Sequence, residues 1–84
     1  MTKQVYWCGP VYWCGPVGPV VAGKQLDDFN SEIKEEFIDG KTTMGPWANM
    51  SPTSYLAYGI GRLGTGYGQR YKKQADGRWL KVEG

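Results

Sequence analysis

From residue 26 onward the apolar side chains fall at Leu26, Phe29, Ile33 and Phe37, spaced three, four and four apart, with acids and Lys34 between them. This spacing marks one face of a helix. Asp27 or Asp28 suits its N-cap, and the acids near its start suit the positive end of the helix dipole. The pattern therefore predicts a helix over about 27–36. The period changes across 37–43, where Asp39-Gly40 between β-favouring residues predicts a hairpin turn and residues 36–38 form either the helix end or the first strand. A second hairpin is clearer, with alternating residues at 69–74 and 78–82 around Ala75-Asp76-Gly77. It puts Tyr71 and Lys73 on one face of its first strand, and Trp79 and Lys81 on one face of its second. Between the hairpins, Ser51 offers an N-cap, Pro52 a first helical residue, and Tyr55, Leu56 and Tyr58 a turn or two of helix ending at Gly59. These elements predict an α+β domain whose core holds Trp47, Trp79, Tyr71, Phe37, Ile33 and Leu80.

The N-terminal part has a different texture. Residues 5–10 read Val-Tyr-Trp-Cys-Gly-Pro, residues 11–16 repeat them, and Val17-Gly18-Pro19-Val20 echoes the end of the unit. Each Val-Tyr-Trp favours extended backbone and each Gly-Pro ends or turns it, so residues 1–23 read as a kinked aromatic arm on the helix and hairpins of 24–84. Such an arm must pack on its own domain or on another chain, which makes Tyr6, Trp7, Tyr12 and Trp13 candidate protein-interface residues and a homo-oligomer the expected assembly. Trp-Cys-Gly-Pro is similar to the start of the thioredoxin active-site motif, but Val11 and Val17 stand where the resolving thiol is needed. Cys8 and Cys14 are free thiols in a reducing compartment, or bridge each other if the intervening Gly-Pro turns the chain.

Composition narrows the chemistry. Eighty-four residues allow one small domain with a thin core. The absence of histidine removes the commonest general base and zinc ligand, so no enzyme is expected, no catalytic residue stands out and no cofactor is implied. The uncharged run 4–23 is broken by Pro10, Pro16 and Pro19 and does not read as a membrane span or a signal peptide; a cytoplasmic protein without membrane contact is expected. The net charge of +2 is uneven, since residues 62–84 carry six cations against Asp76 and Glu83. Gly59, Gly61 and Gly64 match a dinucleotide-binding glycine pattern in spacing, without the strand before and helix after that the fingerprint needs. The glycine-rich run continues to Gly68, with Arg62 and Tyr67 inside it and Arg70, Lys72 and Lys73 after it. These five residues are the candidate nucleic-acid contacts, through phosphate pairing and base stacking; a flexible surface loop is the plainer reading.

The residues 36–42 (Glu-Phe-Ile-Asp-Gly-Lys-Thr), 44–50 (Met-Gly-Pro-Trp-Ala-Asn-Met), Tyr58-Gly59, 63–66, 68–71 and 73–84 together resemble a group of small proteins of tailed bacteriophages. In that group the residues after Asn-Met read Cys-Pro-x-Cys and, with an earlier Cys-x-x-Cys, form a zinc-ribbon-like site. Here the same place reads Ser51-Pro52-Thr53-Ser54. The resemblance implies a zinc-ribbon-like fold without its metal, in which the aromatic arm and the helix replace the folding energy of zinc. It implies a phage-type accessory role in the host cytoplasm. The expected function is a non-enzymatic binding module that contacts nucleic acid through the basic segment. The alternatives are a phage-encoded protein inhibitor or assembly factor acting on a host or phage protein through the arm, and an engineered variant, suggested by the perfect repeat and the paired serines.

Overall fold

Phe37 and Ile38 are adjacent and both buried, which an extended chain achieves by turning neighbouring side chains to opposite faces of a sheet. Each face therefore has its own apolar cluster. The structure, a computed structural model, describes Tyr12, Trp13 and residues 17–84; Tyr6, Trp7, Cys8 and Cys14, with what was expected of them, lie outside the described residues. In chain order the elements are β1 (Tyr12–Trp13), β2 (Val20–Val21), β3 (Lys24–Gln25), β4 (Glu36–Lys41), β5 (Trp47–Met50), α1 (Pro52–Tyr58), β6 (Gly68–Lys73) and β7 (Trp79–Glu83). Five strands form one antiparallel sheet in the order β1-β7-β6-β4-β5, and β2 and β3 form a separate ribbon. The fold is thus mostly antiparallel sheet with one short helix.

The β6–β7 hairpin and the Ser51-capped helix stand where the sequence puts them. Ser51 Oγ accepts from Ser54 N–H at 3.2 Å, Pro52 opens α1, and Gly59 N–H donates to Tyr55 O at 2.9 Å as the helix stops. Gly59 is needed for space, because a Cβ there would collide with the Tyr55 ring.

Two expectations are corrected. Asp39-Gly40 is not a turn but lies inside β4, and the chain reverses over residues 42–46 instead. Gly40 pairs with Gly68 across the β4–β6 ladder, and a Cβ on Gly68 would meet Gly40 Cα at 2.9 Å. The glycine serves a close strand approach rather than a bend. The helix over 27–36 does not form. Asn30 takes a left-handed φ of 63°, Leu26 and Glu32 make an antiparallel bridge, and Ile33 N–H donates to Gln25 O at 2.7 Å. The stripe that reads as one helix face is divided between two clusters: Ile33 and Phe37 enter one, and Phe29 the other.

On one face Trp13, Val17, Ile33, Phe37, Tyr71 and Trp79 pack together. Phe37 stacks on Tyr71 at 4.9 Å, while Trp79 meets Phe37 edge-on at 5.0 Å, geometries that aromatic quadrupoles favour. On the other face Ile38, Ala48 and Met50 lie under Tyr55 and Leu63, with Phe29 stacked on Tyr58 at 4.2 Å. Of the expected core, Ile33, Phe37, Tyr71 and Trp79 are buried, whereas Trp47 and Leu80 are half-buried.

Burial, with the nearby charge of Asp39, pushes the Tyr71 phenol from 10.0 up to about 12. The protonated form is the one the core holds, so its contribution is complete below pH 10 and is lost as pH rises through 12. Stability measured by urea unfolding is expected to fall between pH 10 and 12, and Tyr71→Phe to remove most of that fall.

Candidate functional site

Asp27 is 1% exposed, a costly place for a carboxylate unless each oxygen is satisfied. Its Oδ1 accepts from Phe29 N–H and Ser31 N–H, both at 2.8 Å, and its Oδ2 accepts from Ser51 N–H at 2.7 Å. Burial pushes the carboxyl up, but hydrogen bonds from the Ser51 backbone, the Ser54 side chain and the Ser31 and Phe29 backbones outweigh it, and the group lies below its ordinary value of 3.8. Ser51 Oγ lies 3.0 Å from Ser31 Oγ and 3.4 Å from Ser54 Oγ. One carboxylate and three hydroxyls thus tie the loop after β3 to the start of α1. Beside them Asp28 Oδ2 accepts from Asn49 N–H at 2.8 Å, Asp28 N–H donates to Asn49 O at 3.0 Å, and Asn49 Nδ2 donates to Val17 O at 2.6 Å. These bonds cover the outer edge of β5, which would otherwise offer unpaired backbone.

Held at its N-terminus, α1 stands over the sheet and encloses a groove of about 440 Å³ lined by Glu36, Ile38, Pro52, Tyr55, Leu56, Leu63, Arg70 and Glu83. Its walls are mainly apolar. Leu56 on the helix lip is 88% exposed. At the open side Arg70 is clamped by two carboxylates, Nη1 to Glu36 Oε1 at 2.8 Å and Nη2 to Glu83 Oε1 at 3.0 Å. A bulge explains the clamp. Arg70 pairs with Glu83 and Tyr71 with Lys81, so Val82 is an extra residue that turns Glu83 onto the face of Arg70 and Glu36.

Of the five expected nucleic-acid residues, Arg62 and Tyr67 are in contact and Arg70 and Lys72 share a face of β6, while Lys73 points to the other face. Arg62 stacks on Tyr67 at 4.4 Å in the glycine-rich loop. Arg70 is engaged by its two glutamates. Lys72 and Lys73 are exposed but adjacent in β6, so they point to opposite faces, and Lys73 Nζ lies 5.8 Å over Trp79. Three amides of the loop are spent internally: Gly64 and Gly68 bond each other in both directions at 2.7 and 2.9 Å and Tyr67 N–H donates to Gly64 O. That leaves no glycine cradle for phosphate at these amides. Of the expected interface aromatics, Trp13 is buried in the chain's own core, and Tyr12 is half-buried under Arg78, 4.1 Å from the ring. The groove and the Asp27 cluster went unrecognised in the sequence. The available signal was Asp27 four residues before Ser31, an arrangement that competes with helix by bonding nearby amides.

No helix among the described residues is long and apolar enough to cross a membrane. Comparison with protein-family models, curated proteins and solved structures finds no match for this chain.

Asp27→Ala leaves the buried Ser51 N–H and the part-buried Phe29 and Ser31 N–H groups without their acceptor, at about 1 to 3 kcal/mol for a group that water cannot reach and less for the other two. Urea unfolding at pH 7 is expected to show a loss of about 2 to 4 kcal/mol, against ~1 kcal/mol for the cap loss in Ser51→Ala. Because the folded carboxyl titrates below its unfolded value, its contribution is complete above pH 3.8 and declines as pH falls below it. The gap between wild type and Asp27→Ala should narrow in acid.

Proposed function

We propose that this chain is a non-catalytic accessory module that holds an apolar segment of a partner protein in the groove between α1 and the sheet. Leu56 carries this reading. A lone exposed leucine is ordinary, but this one is the lip of an apolar groove whose open side is a Glu36–Arg70–Glu83 clamp. An apolar centre with a charged rim is the layout of a protein interface. The partly exposed ion pairs add little stability, which leaves them free to orient a partner.

The likeness of residues 36–84 to small tailed-phage proteins supports an accessory role, with a host or phage protein as partner. It also supports descent from a zinc-ribbon-like fold. In this reading Asp27, Ser31, Ser51 and Ser54 take the place of a metal knuckle. One carboxylate and three hydroxyls already bonded to one another are a poor donor set for zinc beside thiolates, and no step is assigned to a metal.

Leu56→Glu is expected to leave unfolding unchanged within about 0.5 kcal/mol, because the side chain is solvated, and to abolish a partner interaction that survives high salt. Affinity capture from host lysate, washed at low and high salt, compares the two chains. A second outcome would replace the proposal: binding to a single-stranded oligonucleotide that Leu56→Glu leaves intact. In that case the salt slope should flatten by roughly 0.7 to 0.9 for each phosphate contact removed at Arg62, Lys72 or Lys73.

A further inference from the structure

The four glutamates of the chain line two adjoining hollows. Glu36 and Glu83 stand on the groove beside α1, and Glu36 with Glu32 and Glu35 lines a second hollow of about 400 Å³ that shares Glu36 and Pro52 with it. A single occupant can therefore lie across both. The walls differ in kind: Ile38, Tyr55, Leu56 and Leu63 make the groove apolar, whereas the hollow holds only Lys34, Ser51, Pro52 and Thr53 beside its acids. The local charge is also opposite to that of the whole chain. Ten cations exceed eight acids overall, but here four carboxylates meet two cations, Lys34 and Arg70. Arg70 takes up only Oε1 of Glu36 and Oε1 of Glu83, and Glu32, Lys34 and Glu35 are exposed without an ion pair among the described residues.

Carboxylates gathered beside low-dielectric walls focus a negative field that only a cation relieves. Among the described residues no three acids are grouped so as to hold a metal ion, which leaves a cation carried on the occupant itself. We propose that the occupant is a basic and apolar segment of a partner protein, with one large apolar side chain seated between Tyr55, Leu56 and Leu63 and a neighbouring lysine or arginine reaching Glu32, Glu35 and the second oxygen of Glu36. This rests on the groove reading given above and names the chemistry of its ligand. Magnitudes divide the work between the two hollows. An exposed ion pair changes affinity by roughly fivefold at most, so the apolar anchor supplies the binding. The carboxylates select among apolar segments, because an acidic one would meet them unpaired.

Selection of a random-peptide display library on the full chain tests the proposal. Enriched peptides should carry a large apolar residue flanked by lysine or arginine, and few acids. A synthetic copy of the strongest, followed by fluorescence anisotropy, should bind the Glu32→Gln/Glu35→Gln double variant roughly fivefold more weakly at low salt and almost equally at about 1 M salt. Leu56→Ser, which removes the apolar lip without adding charge, should weaken it at both. Replacing the peptide's own cations by glutamate gives a readout on the wild-type chain that no folding defect can affect, and should weaken binding by more than the double variant does. Enriched peptides without basic residues, or a peptide indifferent to both charge changes, would overturn this inference and leave the groove reading standing if Leu56→Ser still weakens them. Peptides that bind Leu56→Ser as tightly as wild type, or no enrichment at all, would overturn both.

Discussion

The Asp27 carboxylate ties its own loop to a distant part of the chain, the start of α1. Two of its bonds close the loop that carries Phe29 and Ser31, and the third reaches Ser51 at the start of α1. A short helix has little stability of its own, so its place over the sheet depends on this anchor and on packing against Ile38 and Met50. The same loop delivers Ile33 to one face of the sheet and Phe29 to the other. A buried carboxylate is retained only if it is fully bonded, and this one acts as a hub much as an ion does, by giving two segments one point of attachment.

The two faces of the sheet have different duties. One is a closed aromatic core in which Trp13, Phe37, Tyr71 and Trp79 exclude water. The other is covered by α1, Leu63 and Phe29, and its margin is the groove with the charged clamp. The β7 bulge connects the two, because one extra residue there keeps Lys81 opposite Tyr71 and still swings Glu83 to Arg70.

Much of this was legible where the signal is local. The alternation of residues 69–82 and the Ser51-Pro52 cap read correctly because strand period and cap chemistry are decided by neighbours in sequence. The reading failed where a distant partner decided the outcome. Gly40 was read as a turn residue because its close contact, Gly68, is remote in sequence. The stripe from Leu26 to Phe37 was read as a helix because nothing in its spacing reveals that Asp27 will be buried against Ser51, or that Phe29 will leave for Tyr58. The β2–β3 ribbon was missed for a plainer reason. Its strands are two residues each, below the length at which alternation can be seen, and its only local mark is the positive φ of Ala22 and Gly23. The basic residues were grouped by proximity in sequence, and the pleat of β6 then sent Lys72 and Lys73 to opposite faces.

The central role of Asp27 is open to a direct measurement: amide hydrogen exchange at Phe29, Ser31 and Ser51, the three N–H groups that donate to its carboxylate. If this carboxylate holds the fold together, these loop and cap amides exchange only through global unfolding, with the same opening free energy as the amides of Phe37 and Tyr71 in the central strands. Exchange at rates close to those of the exposed 75–77 turn would contradict that role, and would show that the sheet stands without its hub.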